Sequence, residues 1–239
     1  MRIIQEGSLY QLTYFKSASL SVNCYFIEED NDLTLIDTAI PECAGDILQA
    51  AAAINKPIAR IVLTHAHHDH IGGLDPLKQA LPHAPVYISA REARLLAGDF
   101  ALHADEPDTP IRGIIPQNIM TQPDRLLHEG DRIGSLLVLA TPGHTPGSIS
   151  LLDTRSHALF AGDSFQTEGG VAVAGQLCPS FPFPALGTWN KQAALASANR
   201  LHGFRPSLLA TGHGPMLKEP CSEMMRAIHE AEQNMVSEQ

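Results

Sequence analysis

The chain has 239 residues, 44% apolar and 18% charged, enough to bury a substantial core in one large domain or two small ones. Its formal net charge is −10 with histidines neutral, and no block of Lys or Arg gathers positive charge, which argues against nucleic acid as partner or substrate. Cys24, Cys43, Cys178 and Cys221 are scattered without Cys-x-x-Cys spacing, so neither a thiolate zinc knuckle nor a disulfide framework is indicated.

The N-terminus, Met1-Arg2-Ile3-Ile4-Gln5-Glu6, turns polar too early for a secretory signal. No apolar run approaches the roughly 18 residues that a membrane span needs, so a cytoplasmic protein without a membrane partner is expected. Short alternating runs at Leu9 to Phe15, Leu20 to Ile27 and Leu33 to Ile36, separated by polar turns, predict an antiparallel meander. Pro41 opens an alanine-rich helix to about Asn55, and the β-branched run Ile58 to Leu63 reads as a buried strand. A helix from about Gly73 to Leu81, a strand Val86 to Ser89 and a helix around Glu92 to Ala97 complete this half. Residues 98–123 hold four prolines and little periodicity, as expected of a long loop or lid.

The pattern then restarts. Strands are predicted at Arg125 to Leu127, Ile133 to Ala140, Ser148 to Leu152 and Ala158 to Ala161. A second irregular stretch, 164–187, is rich in Phe and Pro. A helix from about Thr188 to His202, a strand Ser207 to Ala210 and a helix from about Cys221 to Val236 follow. The order suits a single domain made of two half-domains, about 1–120 and 121–239, packed sheet to sheet with helices outside.

Chemistry concentrates in Thr64-His65-Ala66-His67-His68-Asp69-His70-Ile71-Gly72-Gly73, directly after a buried strand. Residues two apart on extended backbone point the same way, so His65 and His67 can aim at one point, whereas His68 faces away. Asp69 and His70 need a turn, which Gly72 and Gly73 are expected to permit. With His and Asp each near about one residue in twenty, His-x-His-x-Asp-His arises by chance on the order of once in a thousand such chains. Unligated, these polar groups would need burial partners; on a divalent metal they are satisfied. Three further candidates stand where strands give way to loops: His144 in Thr141-Pro142-Gly143-His144, Asp163 in Phe160-Ala161-Gly162-Asp163, and His213 in Thr211-Gly212-His213-Gly214. The remaining histidines, among them His103 on the long loop, carry no motif.

From Asp37 to His213 these motifs resemble, in order, those of the metallo-β-lactamase superfamily of metal-dependent hydrolases. The resemblance implies an α/β fold, the four-layer αβ/βα sandwich. It also implies two divalent metal ions: His65, His67 and His144 on the first, Asp69, His70 and His213 on the second, and Asp163 bridging them. Asp37 would support the ligand loop. Nitrogen and oxygen donors without thiolate suit zinc, and iron and manganese accept the same set.

The expected activity is hydrolysis of a small-molecule ester, thioester or lactone by a metal-bridging hydroxide, with Asp69 as the catalytic group that orients the nucleophile and relays its proton. Nuclease activity is not expected, because the chain is acidic and no counterpart of the extra domain of nuclease members is expected in it; true β-lactamases usually lack an aspartate where Asp163 stands, leaving β-lactam hydrolysis as a side activity. Glyoxalase II and acyl-homoserine lactonases share the full ligand set. The competing expectations are a mononuclear iron oxidoreductase resembling the persulfide dioxygenases and a non-catalytic protein on the same fold. Loops 98–123 and 164–187 are candidates for gating the site or for a homodimer contact.

Overall fold

The computed structural model describes residues 1–17 and 20–237. The chain divides into two compact units, one made of Met1–Asp99 with Ile114–Leu127 and the other of Phe100–Gly113 with His128–Gln239.

The first unit is built on a seven-stranded sheet in sequential order. Strands β1 (Arg2–Glu6), β2 (Leu9–Ser17), β3 (Leu20–Glu28) and β4 (Leu33–Ile36) form the expected antiparallel meander, with Leu9 opposite Ile27 and Tyr25 opposite Ile36. The first of these is not foreseen by alternation, because β1 is an edge strand that exposes most of its residues. All four residues of β4 are buried, as a strand covered on both faces requires. The sheet then becomes parallel through β5 (Ile58–Val62), β6 (Val86–Ser89) and β7 (Arg125–Leu127).

Helix α1 (Ala44–Ile54) makes the crossover from β4 to β5 and buries Ile47, Ala50 and Ala51. It starts later than Pro41 suggests, since Pro41–Cys43 is a separate 3-10 turn. It ends at Asn55, whose φ of 62° forms a left-handed cap. Two short helices, α2 (His68–Ile71) and α3 (Leu74–Ala80), lie between β5 and β6, and α4 (Ala90–Leu96) follows β6 with Ser89 capping it. Residues 97–124 contain no helix or strand.

The second unit holds a six-stranded sheet ordered β15-β14-β11-β10-β9-β8. Its strands are β8 (Arg132–Ile133), β9 (Leu136–Ala140), β10 (Ile149–Asp153), β11 (Ala158–Phe160), β14 (Leu208–Ala210) and β15 (Leu217–Lys218), and only β11 and β14 pair in parallel. The predicted strand Ile133 to Ala140 is in fact a hairpin. Gly134, at φ 57°, turns the chain so that Ile133 pairs with Leu136.

The stretch 164–187 is also more ordered than its composition suggests. It contains a two-stranded ribbon, β12 (Phe165–Gln166) with β13 (Ala172–Val173), and helix α5 (Phe183–Gly187). Helix α6 (Lys191–Gly203) begins after Asn190, whose side chain accepts from the Ala193 amide; Thr188 and Trp189 therefore remain extended instead of opening the helix. Helix α7 (Cys221–Ser237) closes the chain. Ala194, Ala198 and Leu201 of α6 and Met224, Ala227 and Ile228 of α7 pack with Leu139, Leu152, Leu159 and Leu209 of the sheet. Among the described residues no helix is long and apolar enough to cross a membrane.

Candidate metal centre

In the first unit, the site begins with an aspartate held in a strained conformation. Asp37 follows β4 with φ 58°, a left-handed angle that Asp tolerates better than most residues. Its Oδ1 accepts the Thr64 amide at 2.7 Å, and its Oδ2 accepts the Thr64 hydroxyl at 2.7 Å. The same Oδ2 stands 2.8 Å from His70 Nδ1, and a carboxylate can only accept. The proton therefore sits on His70 Nδ1, and His70 Nε2 carries a lone pair.

Thr64 extends this logic to the next candidate ligand. Its hydroxyl proton is committed to Asp37, so its oxygen accepts from His65 Nδ1 at 3.1 Å. The His65 Nε2 lone pair then lies 3.1 Å from His67 Nδ1, as the same-side argument for His65 and His67 requires. The His65 and His70 rings approach to 4.0 Å, and Asp69 and His70 bring ligand atoms within 4.8 Å of each other. His65, His67 and His70 are buried and Asp69 is half-buried.

Gly72 and Gly73 serve differently from the expectation. Their φ angles, −59° and −79°, are open to any residue. Their lack of Cβ is what matters: one on Gly72 would lie 2.6 Å from the His68 carbonyl oxygen, and one on Gly73 2.4 Å from the Thr38 oxygen. The glycines let the ligand loop press against residues 38–41, where the Thr38 amide donates to the His70 carbonyl at 2.7 Å. His68 opens α2, its amide donating to the Ile114 carbonyl at 2.8 Å, and among the described residues it joins no candidate ligand cluster.

Sequence reasoning misses Glu92, which is fully buried on α4. Its Oε2 accepts the Ala66 amide at 2.8 Å, between the candidate ligands His65 and His67. Nothing in the local sequence distinguishes it from a solvated helical glutamate.

In the second unit, His144, Asp163 and His213 converge from three strand ends. Gly143, at φ 145°, passes so close to α6 that a Cβ would lie 2.3 Å from Ala194 Cα. The amides of Trp189 and Asn190 donate to the carbonyls of His144 and Gly143, both at 2.9 Å. The Gly212 amide donates to Gly162 at 2.9 Å, tying the loop of His213 to that of Asp163.

Asp163 Oδ2 lies 3.4 Å from His144 Nε2 and 3.3 Å from His213 Nε2, and all three side chains are buried. His144 Nδ1 stands 3.1 Å from Thr188 Oγ1, which itself donates to the Pro184 carbonyl at 2.7 Å. Thr188 thus accepts from Nδ1, and His144 Nε2 faces a carboxylate oxygen. A cation between the two, a proton on Nε2 or a metal ion, satisfies both. The imidazole and carboxylate donors suit a divalent ion. Among the described residues, His and Asp side chains thus form clusters that could hold metal.

Residues 19–213 match the family model of the metallo-beta-lactamase superfamily. The chain is 53% identical over 231 residues to the uncharacterized protein YobT of Bacillus subtilis (strain 168), covering 97% of this chain and 99% of that protein. The probable metallo-hydrolase YflN of the same organism is 32% identical over 212 residues, 80% of each chain. A hydroxyacylglutathione hydrolase of Synechococcus sp. is 26% identical over 84% of this chain and 73% of its own length. The solved structure of a metallo-beta-lactamase from Pontibacter korlensis, 17% identical, covers 97% of this chain and 98% of its own with a TM-score of 0.74, a likeness of fold.

The chain belongs to the metallo-β-lactamase superfamily. It has that superfamily's α/β sandwich fold, and it is a hydrolase.

Proposed function

We propose that the protein is a dinuclear metal-dependent hydrolase of a small-molecule ester, thioester or lactone. The observation that carries this reading is Asp163 Oδ2, which stands 3.4 Å and 3.3 Å from the Nε2 atoms of His144 and His213. One carboxylate oxygen serving two imidazole nitrogens is the arrangement expected of a residue shared between two ions. On the superfamily's ligand pattern, His65, His67 and His144 would hold one ion and Asp69, His70 and His213 the other.

When bound, the ions supply Lewis acidity, bringing water toward ionisation at neutral pH and polarising an acyl oxygen. The remaining steps belong to the chain. Asp37 and Thr64 fix the protons of His70 and His65 on Nδ1, and Thr188 does the same for His144, so each presents Nε2 as a donor. Asp69, half-buried at the start of α2, would orient the attacking water and pass its proton to the leaving group. The thiolate-free donor set supports zinc, and the ester or thioester class is supported by the ligand set shared with glyoxalase II and by the hydroxyacylglutathione hydrolase relative. A net charge of −10 favours small-molecule substrates over nucleic acid.

The test is metal analysis of the purified protein, followed by assay against lactones, thioesters, phosphodiesters and β-lactams. Two zinc ions per chain with acyl hydrolysis are expected, and Asp69→Ala should remove activity from a folded protein. One iron with oxygen uptake, or cleavage of phosphodiesters alone, would overturn the reading.

A further inference from the structure

Helix α5 is fastened at each end to a different candidate ligand. Upstream, the fully buried Phe181 ring packs on the His213 imidazole with centroids 5.0 Å apart, and on Phe183 at 5.4 Å. Downstream, Thr188 meets His144 Nδ1 while donating to Pro184 within the helix. The Gln166 amide donates to the Phe181 carbonyl at 3.2 Å and to the Glu168 carbonyl at 3.0 Å, which secures the approach to the helix.

Between these anchors α5 turns apolar side chains outward. Phe183 is 50% exposed and Leu186 61% exposed. Three positions apart on a helix, they share one side. Large apolar side chains left in water beside a functional group point to a binding role. Charge supports the same reading, because residues 164–187 contain one charged side chain, Glu168, and no Lys or Arg. An anionic substrate arm would find no counter-charge on this strip, whereas an alkyl chain would find cover.

We propose that Phe183 and Leu186 form an acyl-chain subsite, so that the preferred substrate is a thioester, ester or lactone with an uncharged alkyl acyl group of medium length. This rests on the hydrolase reading above. Water adds to the acyl carbon, the bond to sulfur or oxygen breaks, and the products are a carboxylic acid and a thiol or alcohol.

Two measurements on the metal-loaded protein decide it. The first compares kcat/KM for acetyl, butyryl and octanoyl thioesters of N-acetylcysteamine. The octanoyl-to-acetyl ratio is expected to be about tenfold or more in the natural chain. It should fall toward one in Phe183→Ser/Leu186→Ser and be kept by Phe183→Leu. The second follows the fluorescence of Trp189, the one tryptophan, buried two positions beyond α5, during titration with octanoate and with acetate. Octanoate should bind about tenfold more tightly, and the double substitution should remove the difference.

A ratio near one in the natural chain, or one unchanged in the double variant, overturns the subsite even where thioesters are hydrolysed. If no acyl substrate is cleaved, the hydrolase reading fails instead. The octanoate and acetate titrations then decide the subsite alone.

Discussion

Thr188 Oγ1 lies 3.1 Å from His144 Nδ1 and 2.7 Å from the Pro184 carbonyl oxygen, so one hydroxyl sets the proton position of a candidate ligand from a loop 44 residues away. Thr188→Val keeps the shape and removes the hydroxyl. The His144 ring then loses the acceptor that keeps Nε2 free of a proton. Metal affinity is expected to fall about 10- to 100-fold with little change in melting temperature. Thr188→Ser should retain it. Competition with a chromogenic chelator measures this, and equal affinity in Thr188→Val would contradict the assigned role.

Asp37 allows a sharper separation of folding from ligation. Asp37→Ala leaves the Thr64 amide, the Thr64 hydroxyl and His70 Nδ1 without their acceptor, and it places alanine at φ 58°. A loss of about 3–5 kcal/mol is expected. Asp37→Asn tolerates the backbone angle, and its carbonyl can still accept from the Thr64 amide. Its NH2 group, however, would face His70 Nδ1 and drive the imidazole proton to Nε2. The variant should therefore fold yet bind less metal than the natural chain, as read by thermal melting alongside metal analysis. A full metal complement in Asp37→Asn would refute the proton assignment.

The candidate ligand positions stand out in the sequence because the chemistry they offer is written locally. His65, His67, Asp69 and His70 lie within six residues, and His144, Asp163 and His213 each follow an apolar strand. The partners that orient them are less visible. Thr188 reads as a helix start, and Glu92 is placed on a helix without any role. Each is defined by a contact distant in sequence: Thr188 with His144, and Glu92 with the Ala66 amide. The fold departs from expectation where periodicity misleads or is absent. The exposed edge strand β1 lacks an apolar face, and Ile133 to Ala140 is largely apolar on both sides of the turn at Gly134. The two-residue strands β12, β13 and β15 are too short to show a pattern.

Two glycines separate backbone strain from steric overlap. Gly130 has φ 85°, and a Cβ added there would meet nothing within 4 Å, so Gly130→Ala should cost about 1–2 kcal/mol from backbone angle alone. Gly143 combines φ 145° with a Cβ position 2.3 Å from both Cα and N of Ala194. The helix backbone cannot yield there without shifting His144, whose own carbonyl holds Trp189. Gly143→Ala should cost more than about 3 kcal/mol and lower metal affinity as well. Urea unfolding midpoints for the two variants test the difference, and equal midpoints would show that the contact relaxes freely.

Asp153 supplies a pH-dependent part of the stability that is independent of the candidate metal ligands. Burial alone would raise its pKa, but the Arg155 amide at 2.9 Å, the Arg155 guanidinium at 3.2 Å and the Ser156 hydroxyl at 3.0 Å outweigh burial and hold the carboxyl below its usual value of 3.8. The unfolded chain therefore takes up this proton at higher pH than the folded one. The carboxylate's contribution is fully present above the unfolded value and is lost as pH falls through the lower folded one. Asp153→Asn should be less stable at pH 7 by about 1–3 kcal/mol. The gap to the natural chain should hold down to about pH 5 and narrow below about pH 4. Urea denaturation across this range measures it, and a gap that stays constant into acid would place the effect in packing instead of in the charge.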